Sequence, residues 1–260
     1  MWKIAFLTGM LLMAGCAPGV SVDLGRPTST EAPVEPTWAV QPDNRTMTDA
    51  FPEFAVMAGL SGSVILDCAV AQDGRLNDCT VVQAKPEGLG FDRTAMTLAS
   101  EYRVGSRGSG DHSAEARFQY TSRYRMTDDG APSAWTGPEP TPERLALARV
   151  EATRRSDLER RFVAAQDWGV DDDRRAAVID IIRQVVDEFR EREIQAETLA
   201  LARTMTVEQL EALRSRARPE PVIDFAESYA ASAEQVALMG ERAARIRSLY
   251  CASYDCAMGD

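Results

Sequence analysis

Gly62–Arg103 reads G-S-V-I-L-D-C-A-V-A-Q-D-G-R-L-N-D-C-T-V-V-Q-A-K-P-E-G-L-G-F-D-R-T-A-M-T-L-A-S-E-Y-R, and its middle decides the fold. Ser63–Ala71 and Leu76–Ala84 are rich in β-branched and small apolar residues, with Gln72-Asp73-Gly74-Arg75 between them. Asp-Gly between two apolar runs predicts a hairpin, because glycine accepts a positive φ and aspartate bonds its own backbone. A two-residue turn on Asp73-Gly74 sets Cys68 directly opposite Cys79. Val64, Leu66 and Val70 then share the cysteine face of the first strand, and Val81 joins them from the second. A three-residue loop with Gly74 left-handed would slip the pairing by one residue and part the sulfurs. Both registers stay open.

Downstream, Lys85–Gly90 breaks the ladder with proline and glycine. Phe91, Ala95, Leu98, Ala99 and Tyr102 recur at helical spacing and predict an amphipathic helix of about three turns. Asp92 suits its positive N-terminal end. A glycine-rich loop (Gly105 to Gly110) follows, and Ala114–Tyr124 alternates with period two, predicting a third antiparallel strand. Hairpin, helix and third strand make a small α+β domain with one helix packed on one sheet face.

The ordered set Phe51-Pro52, Gly62-Ser63-Val64, Asp73-Gly74-Arg75-Leu76, Phe91-Asp92 with Ala95-Met96, and Tyr102-Arg103-Val104 resembles the C-terminal domain of the TonB energy-transducer family. In that family a proline precedes a G-x-V strand, a D-G turn leads into the second strand, and a D-x-x-A-x helix ends in an aromatic-arginine-hydrophobic step. The likeness covers roughly residues 48–126, about a third of the chain. One departure is visible: Gly105-Ser106 stands where the family usually has proline. The resemblance implies a sheet with an open edge that takes up an extended segment of an envelope partner, outer-membrane receptors among them. The expected edge is Ala114–Tyr124, with Arg117, Gln119 and Arg123 placed to meet an acidic peptide. The same edge could pair with itself in a homodimer.

Met1–Gly15 has the form of a signal peptide, with Lys3 ahead of a short apolar run and too little length for a transmembrane helix. Met13-Ala14-Gly15-Cys16 resembles a bacterial lipobox, which makes Cys16 the lipidated first residue of the mature chain. Ala17 beside it resembles lipoproteins sorted to the outer membrane. An uncleaved segment would instead leave a marginal anchor. Residues 16–47 are rich in proline, threonine and glutamate and predict an extended, disordered tether of about 80 Å at full stretch. The five cysteines divide into the lipid carrier and two close pairs, Cys68/Cys79 and Cys251/Cys256, favouring two local disulfides in an oxidising compartment.

Residues 127–140 form a Pro/Gly-rich linker, after which the period changes from two to 3.6. Residues 141–260 predict a helical domain of four or five helices. Thr141-Pro142-Glu143 starts the first, with Leu145, Ala148, Ala152, Leu158, Phe162 and Ala165 as its apolar stripe. Asp171–Asp173 opens the second, which buries Val178, Ile181, Ile182, Val185 and Phe189. Thr206–Gln209 is a capping-box pattern ahead of Leu210 and Leu213. Pro219 and Pro221 end that helix, and a last one spans about 222–250 with Phe225, Tyr229, Val236 and Ile246 inward.

Little here supports chemistry. The single histidine, His112, lies in a glycine loop, so neither a metal cluster nor a serine triad can be assembled around it. Asp171–Asp173 lacks the ligand spacing of a calcium loop. Gly88-x-Gly90 has no phosphate-binding lysine. Arg154-Arg155, Arg160-Arg161 and Arg174-Arg175 sit among acids and predict a salt-bridged, solvated surface. A net charge of -11 argues against nucleic acid. The expectation is a non-enzymatic, periplasm-facing lipoprotein of the bacterial envelope, without metal or cofactor, that binds a partner by strand addition. The alternative is a scaffold lipoprotein whose helical domain docks on another envelope protein or on peptidoglycan.

Overall fold

The hairpin forms, and it carries both registers that its sequence left open. In the computed structural model, which describes residues 20–25, 37–105, 117–126, 134–215 and 232–257, strand β3 (Gly62–Val70) pairs antiparallel with β4 (Leu76–Lys85). Gly74 is left-handed at φ 82°, and the loop closes through Ala71 N–H to the Arg75 carbonyl at 2.8 Å. That three-residue loop pairs Val70 with Leu76 and Ala69 with Asn77, the slipped register. Asp78, at φ 45°, then inserts as a bulge and restores the other register, so that Asp67 faces Thr80. The slip is undone before it reaches the sulfurs, and Cys68–Cys79 is joined with Cα atoms 4.0 Å apart.

Ahead of the hairpin lie β1 (Val20–Gly25), β2 (Trp38–Val40), α1 (Asn44–Ala50) and α2 (Glu53–Ala58). After it come α3 (Phe91–Ala99), β5 (Arg103–Val104) and β6 (Arg117–Met126). The main sheet has the order β1-β6-β3-β4, and β2 pairs with β5 in a small second sheet. This is the α+β arrangement expected, with α3 packed against β3 and β4. On β3 and β6 burial alternates with period two. Val64, Leu66, Cys68 and Val70 face inward, as do Tyr120, Ser122 and Tyr124. Against them pack Phe91, Ala95, Leu98, Ala99 and Tyr102 from α3 and its exit, and Phe51, Phe54 and Leu60. Val81 does not join this face: it is 40% exposed, because β4 bulges and its alternation is lost.

Among the described residues four helices follow: α4 (Pro142–Phe162), α5 (Asp172–Thr204), α6 (Val207–Arg214) and α7 (Ala233–Cys251). The starts of α4, α5 and α6 are those the sequence predicts, whereas α7 begins at Ala233 rather than near 222. The Thr141 hydroxyl accepts from Arg144 N–H with Pro142 in the first turn, and Thr206 and Gln209 complete a capping box. Phe162 and Ala165 are exposed, and Val163 is buried instead, because α4 ends at Phe162 and helical spacing no longer applies. Ile246 is buried and Val236 half-buried, whereas Phe225, Tyr229, Pro219 and Pro221 lie outside the described residues.

The chain forms two compact units that interleave in sequence, with one of the crossings at 128/129. One gathers residues 19–128, 166–182 and 243–260, and the other residues 129–165 and 183–242. In the first, Phe54 N–H donates to the Trp168 carbonyl at 2.9 Å, and Asp171 N–H to that of Gly88 at 3.0 Å. Arg247 donates to the Gly59 carbonyl, and the Tyr250 ring stands 4.9 Å from that of Phe54. The Cys251–Cys256 disulfide closes its last turn. The second unit packs Ala148 and Ala152 of α4 against Ile194, Ala200, Leu201 and Ala202 of α5, with Met205 and Leu210.

Candidate strand-binding site

A sheet binds an extended peptide through main-chain groups at an edge, so the two flanks of the sheet are the places to look. The strand expected at the edge, β6, is interior. On one side it pairs with β3, from Gly62↔Tyr124 to Ala69↔Arg117. On the other it pairs with β1, from Val20↔Met126 to Gly25↔Thr121. β1 belongs to the stretch expected to be a disordered tether, and β2 does too. Both segments are instead laddered. Proline-rich composition rules out a core of its own, but strand addition needs only backbone and an alternating pattern, which Val20-Ser-Val-Asp-Leu24 supplies.

The structure places Arg117, Gln119 and Arg123 together on the solvent-facing row of β6. Arg117 is engaged within the sheet. Its Nε donates to Asp67 Oδ1 at 2.8 Å, and its terminal nitrogen donates to the carbonyls of Asp67 and Asp78 at 3.0 Å each. The guanidinium thus spans from β6 across β3 to the β4 bulge and braces the sheet. Gln119 stands opposite Asp67 of β3, and it too has an interaction of its own. Arg123 is half-buried, opposite Ser63 on one side and Asp23 on the other.

The opposite flank, β4, has no strand along its outer side among the described residues. Val81 and Val82 are 40% and 52% exposed there. Yet β4 is a poor acceptor. Its register with β3 shifts twice, and Asp78 sits at positive φ within the shift nearer the turn. Such bulges disrupt the regular ladder a strand would extend and are a recognised way to protect an edge. The register of β6 runs without a shift on both sides. A strand laid on β6 therefore forms a regular ladder, as β1 does, which β4 does not offer.

Behind β6 the inner face is rigid. Phe91 and Phe51 lie 5.5 and 6.0 Å from the Tyr124 ring, and Trp38 lies 5.0 Å from Tyr102 and 5.4 Å from Tyr120. Burial pushes the Tyr102 phenol up to about 12, and those of Tyr120 and Tyr124 higher still. These phenols are neutral packing groups at any physiological pH. Among the described residues no cluster of His, Cys, Asp or Glu could hold a metal ion. Nor is any described helix long and apolar enough to cross a membrane. Cys16 and His112 lie outside the described residues.

The arginine pairs of the helical unit are not merely a solvated surface, as their sequence suggested. Glu151 is 2% exposed and accepts from Arg154 at 2.6 Å and Arg155 at 2.8 Å. Burial pushes its carboxyl up, but the two guanidinium hydrogen bonds outweigh that and hold it below the usual range. Arg155 also reaches Glu197 at 3.0 Å, and Arg242 bridges Glu159 and Glu193. A cleft of about 400 Å³ in this unit is lined by Asp157, Arg160, Arg161, Arg183 and Asp187. Arg160 and Arg190 bind Asp187 and Asp157 there, at 2.6 and 2.7 Å, so its charge is largely matched internally.

Residues 48–126 match the family described as the Gram-negative bacterial TonB protein C-terminal. Residues 48–126 are therefore a TonB C-terminal domain, as their motif order predicts. No curated protein and no solved structure matches the chain.

Proposed function

We propose that this TonB C-terminal domain serves a non-enzymatic protein of the Gram-negative envelope, held to the membrane through lipidated Cys16. In this reading it captures an extended segment of an envelope partner by strand addition at β6. One observation carries the proposal: a six-residue segment from outside the domain, β1, already lies on β6 as an added antiparallel strand. What one extended segment does in this register another can do, since the ladder is made of main-chain groups common to all sequences. The Cys68–Cys79 bridge and the Arg117 brace keep the acceptor sheet ordered, which lowers the entropy lost on binding. Transport across the outer membrane is the process such capture would serve. A lipid anchor would uncouple the domain from a membrane motor, so the protein acts as an adaptor rather than a transducer.

Two experiments test the two halves. Metabolic labelling with a clickable fatty acid should mark the wild-type chain and leave Cys16→Ala unmarked; equal labelling, or none in either, removes the anchor. A photo-crosslinking residue at Thr121 on β6 should trap an envelope protein in cells. Crosslinks only from Val150, exposed on α4, would favour the scaffold reading, in which the helical unit does the docking.

A further inference from the structure

We infer that β1 is a built-in occupant of the acceptor edge, which a partner strand must displace, and that its pattern states what the edge accepts. The inference rests on the strand-capture reading and adds the competitor and the ligand class. β1 lies outside residues 48–126, so the domain does not need it as part of its own pattern. Its six residues nevertheless pair without a shift, from Val20↔Met126 to Gly25↔Thr121. The register sets Val22 and Leu24 opposite Tyr124 and Ser122, in the row whose β6 members are buried. It sets Asp23 opposite Arg123. Opposite charges directly across an antiparallel pair are favourable, and like charges are not. The preferred external ligand is therefore an extended segment with apolar residues at alternate positions and one acid in register with Arg123.

Tethering gives β1 a large advantage. β1 belongs to the same chain as its acceptor edge, so its pairing is intramolecular and corresponds to an effective concentration on the order of millimolar. A free peptide of equal intrinsic affinity would occupy few molecules at micromolar concentration. Displacement needs a partner that is itself concentrated, as a receptor segment fixed in a nearby membrane would be. It also changes reach. If Cys16 carries the lipid, docked β1 keeps the edge of the sheet about 13 Å of chain from the anchor. Released β1 lets roughly 70 Å of chain extend before Trp38. Occupancy of one edge would thus select between a retracted and an extended domain.

The test uses the full chain from residue 16, with Cys16→Ser so that it is soluble, and a labelled peptide of residues 18–27 as probe. Val22→Pro with Asp23→Pro removes an N–H on each side of β1 and should free the edge. Amide exchange across Thr121–Met126 should then rise at least tenfold while β3 and β4 stay protected. The probe should bind the variant at least tenfold more tightly than the wild type and restore the lost protection. Asp23→Arg, which sets like charges opposite each other, should shift both readouts in the same direction by a smaller factor without any proline. Unchanged exchange at Thr121–Met126 in both variants would mean that β1 does not occupy the edge, and the inference fails alone. Raised exchange with no gain in probe binding would mean that the freed edge takes no strand, and the capture reading falls with it.

Discussion

The sheet unit is held by rings and sulfur, the helical unit by charge. In the first, Phe51, Phe91 and Tyr124 lie within 5.5–6.0 Å of one another, and two disulfides staple the hairpin and the last turn. In the second, the packed core is largely alanine with Ile194, Leu201 and Leu210, and a buried carboxylate is held by two guanidinium groups beside it. Aromatic burial scales with area and does not depend on protonation. Buried ion pairs carry desolvation costs that partner charges only offset, so they respond to pH and to the loss of either partner. The contrast suits the proposed division of labour. A surface that must receive a strand has to be ordered beforehand, and covalent and apolar forces order it with little dependence on pH or salt.

The largest expected effect breaks the sheet unit alone. Gly90 begins α3 at φ 76°, and a Cβ there would stand 2.0 Å from the Gly169 carbonyl oxygen. That oxygen cannot step aside easily, since it accepts from Arg93 at 2.7 Å. Left-handed strain and overpacking each cost about 1–3 kcal/mol, so Gly90→Ala should destabilise the unit by roughly 3–5 kcal/mol. Hydrogen exchange should accelerate in β3, β4 and β6 peptides while α4 and α6 peptides keep their protection. Equal loss in both sets would show that the two units unfold as one, and the contrast between them would lose its meaning.

The same glycine shows how far sequence reading carries. A glycine before Phe91-Asp92 was legible as the entry to a helix, and so were the hairpin, the disulfide pairing and the caps at Thr141 and Thr206, because each is a local matter of a few residues. What stayed hidden is non-local. Residues 166–182 and 243–260 read as helix in either unit, and periodicity cannot say that Trp168 and Tyr250 meet Phe54. β1 was hidden differently: its alternation runs over only a few residues, and the composition around it argued for a disordered tether. Its docking then moved the expected open edge, β6, into the sheet. Asn77-Asp78 offered a faint sign of the bulge, since both residue types tolerate positive φ. Glu151 offered none, because an acid among arginines looks the same whether the helix face is solvated or covered.

The smallest effect sharpens the contrast from the helical side. Burial pushes the Glu197 carboxyl up to about 7 from an ordinary 4.5, against the pull of Arg155 and with a further push from Glu151 and Glu159. A carboxyl raised on folding binds its proton more tightly in the folded chain than in the unfolded one. Its contribution is therefore fully present below pH 4.5 and is lost as pH rises through 7. Glu197→Gln holds the neutral form at every pH and should flatten this decline. The variant should match the wild type near pH 5 and exceed it at pH 8 by at most about 3 kcal/mol, since one pKa unit corresponds to about 1.4 kcal/mol. Arg155 keeps Glu151 as a partner at 2.8 Å, so the exchange leaves no buried charge alone. Urea midpoints of the α4 and α6 peptides at pH 5, 6, 7 and 8, read by pulsed exchange, would trace the difference, and the β3–β4 peptides should show none. A variant less stable than wild type at pH 8 would mean that the Arg155–Glu197 pair outweighs burial. Charge would then be a net source of strength in the helices rather than a cost that their packing absorbs.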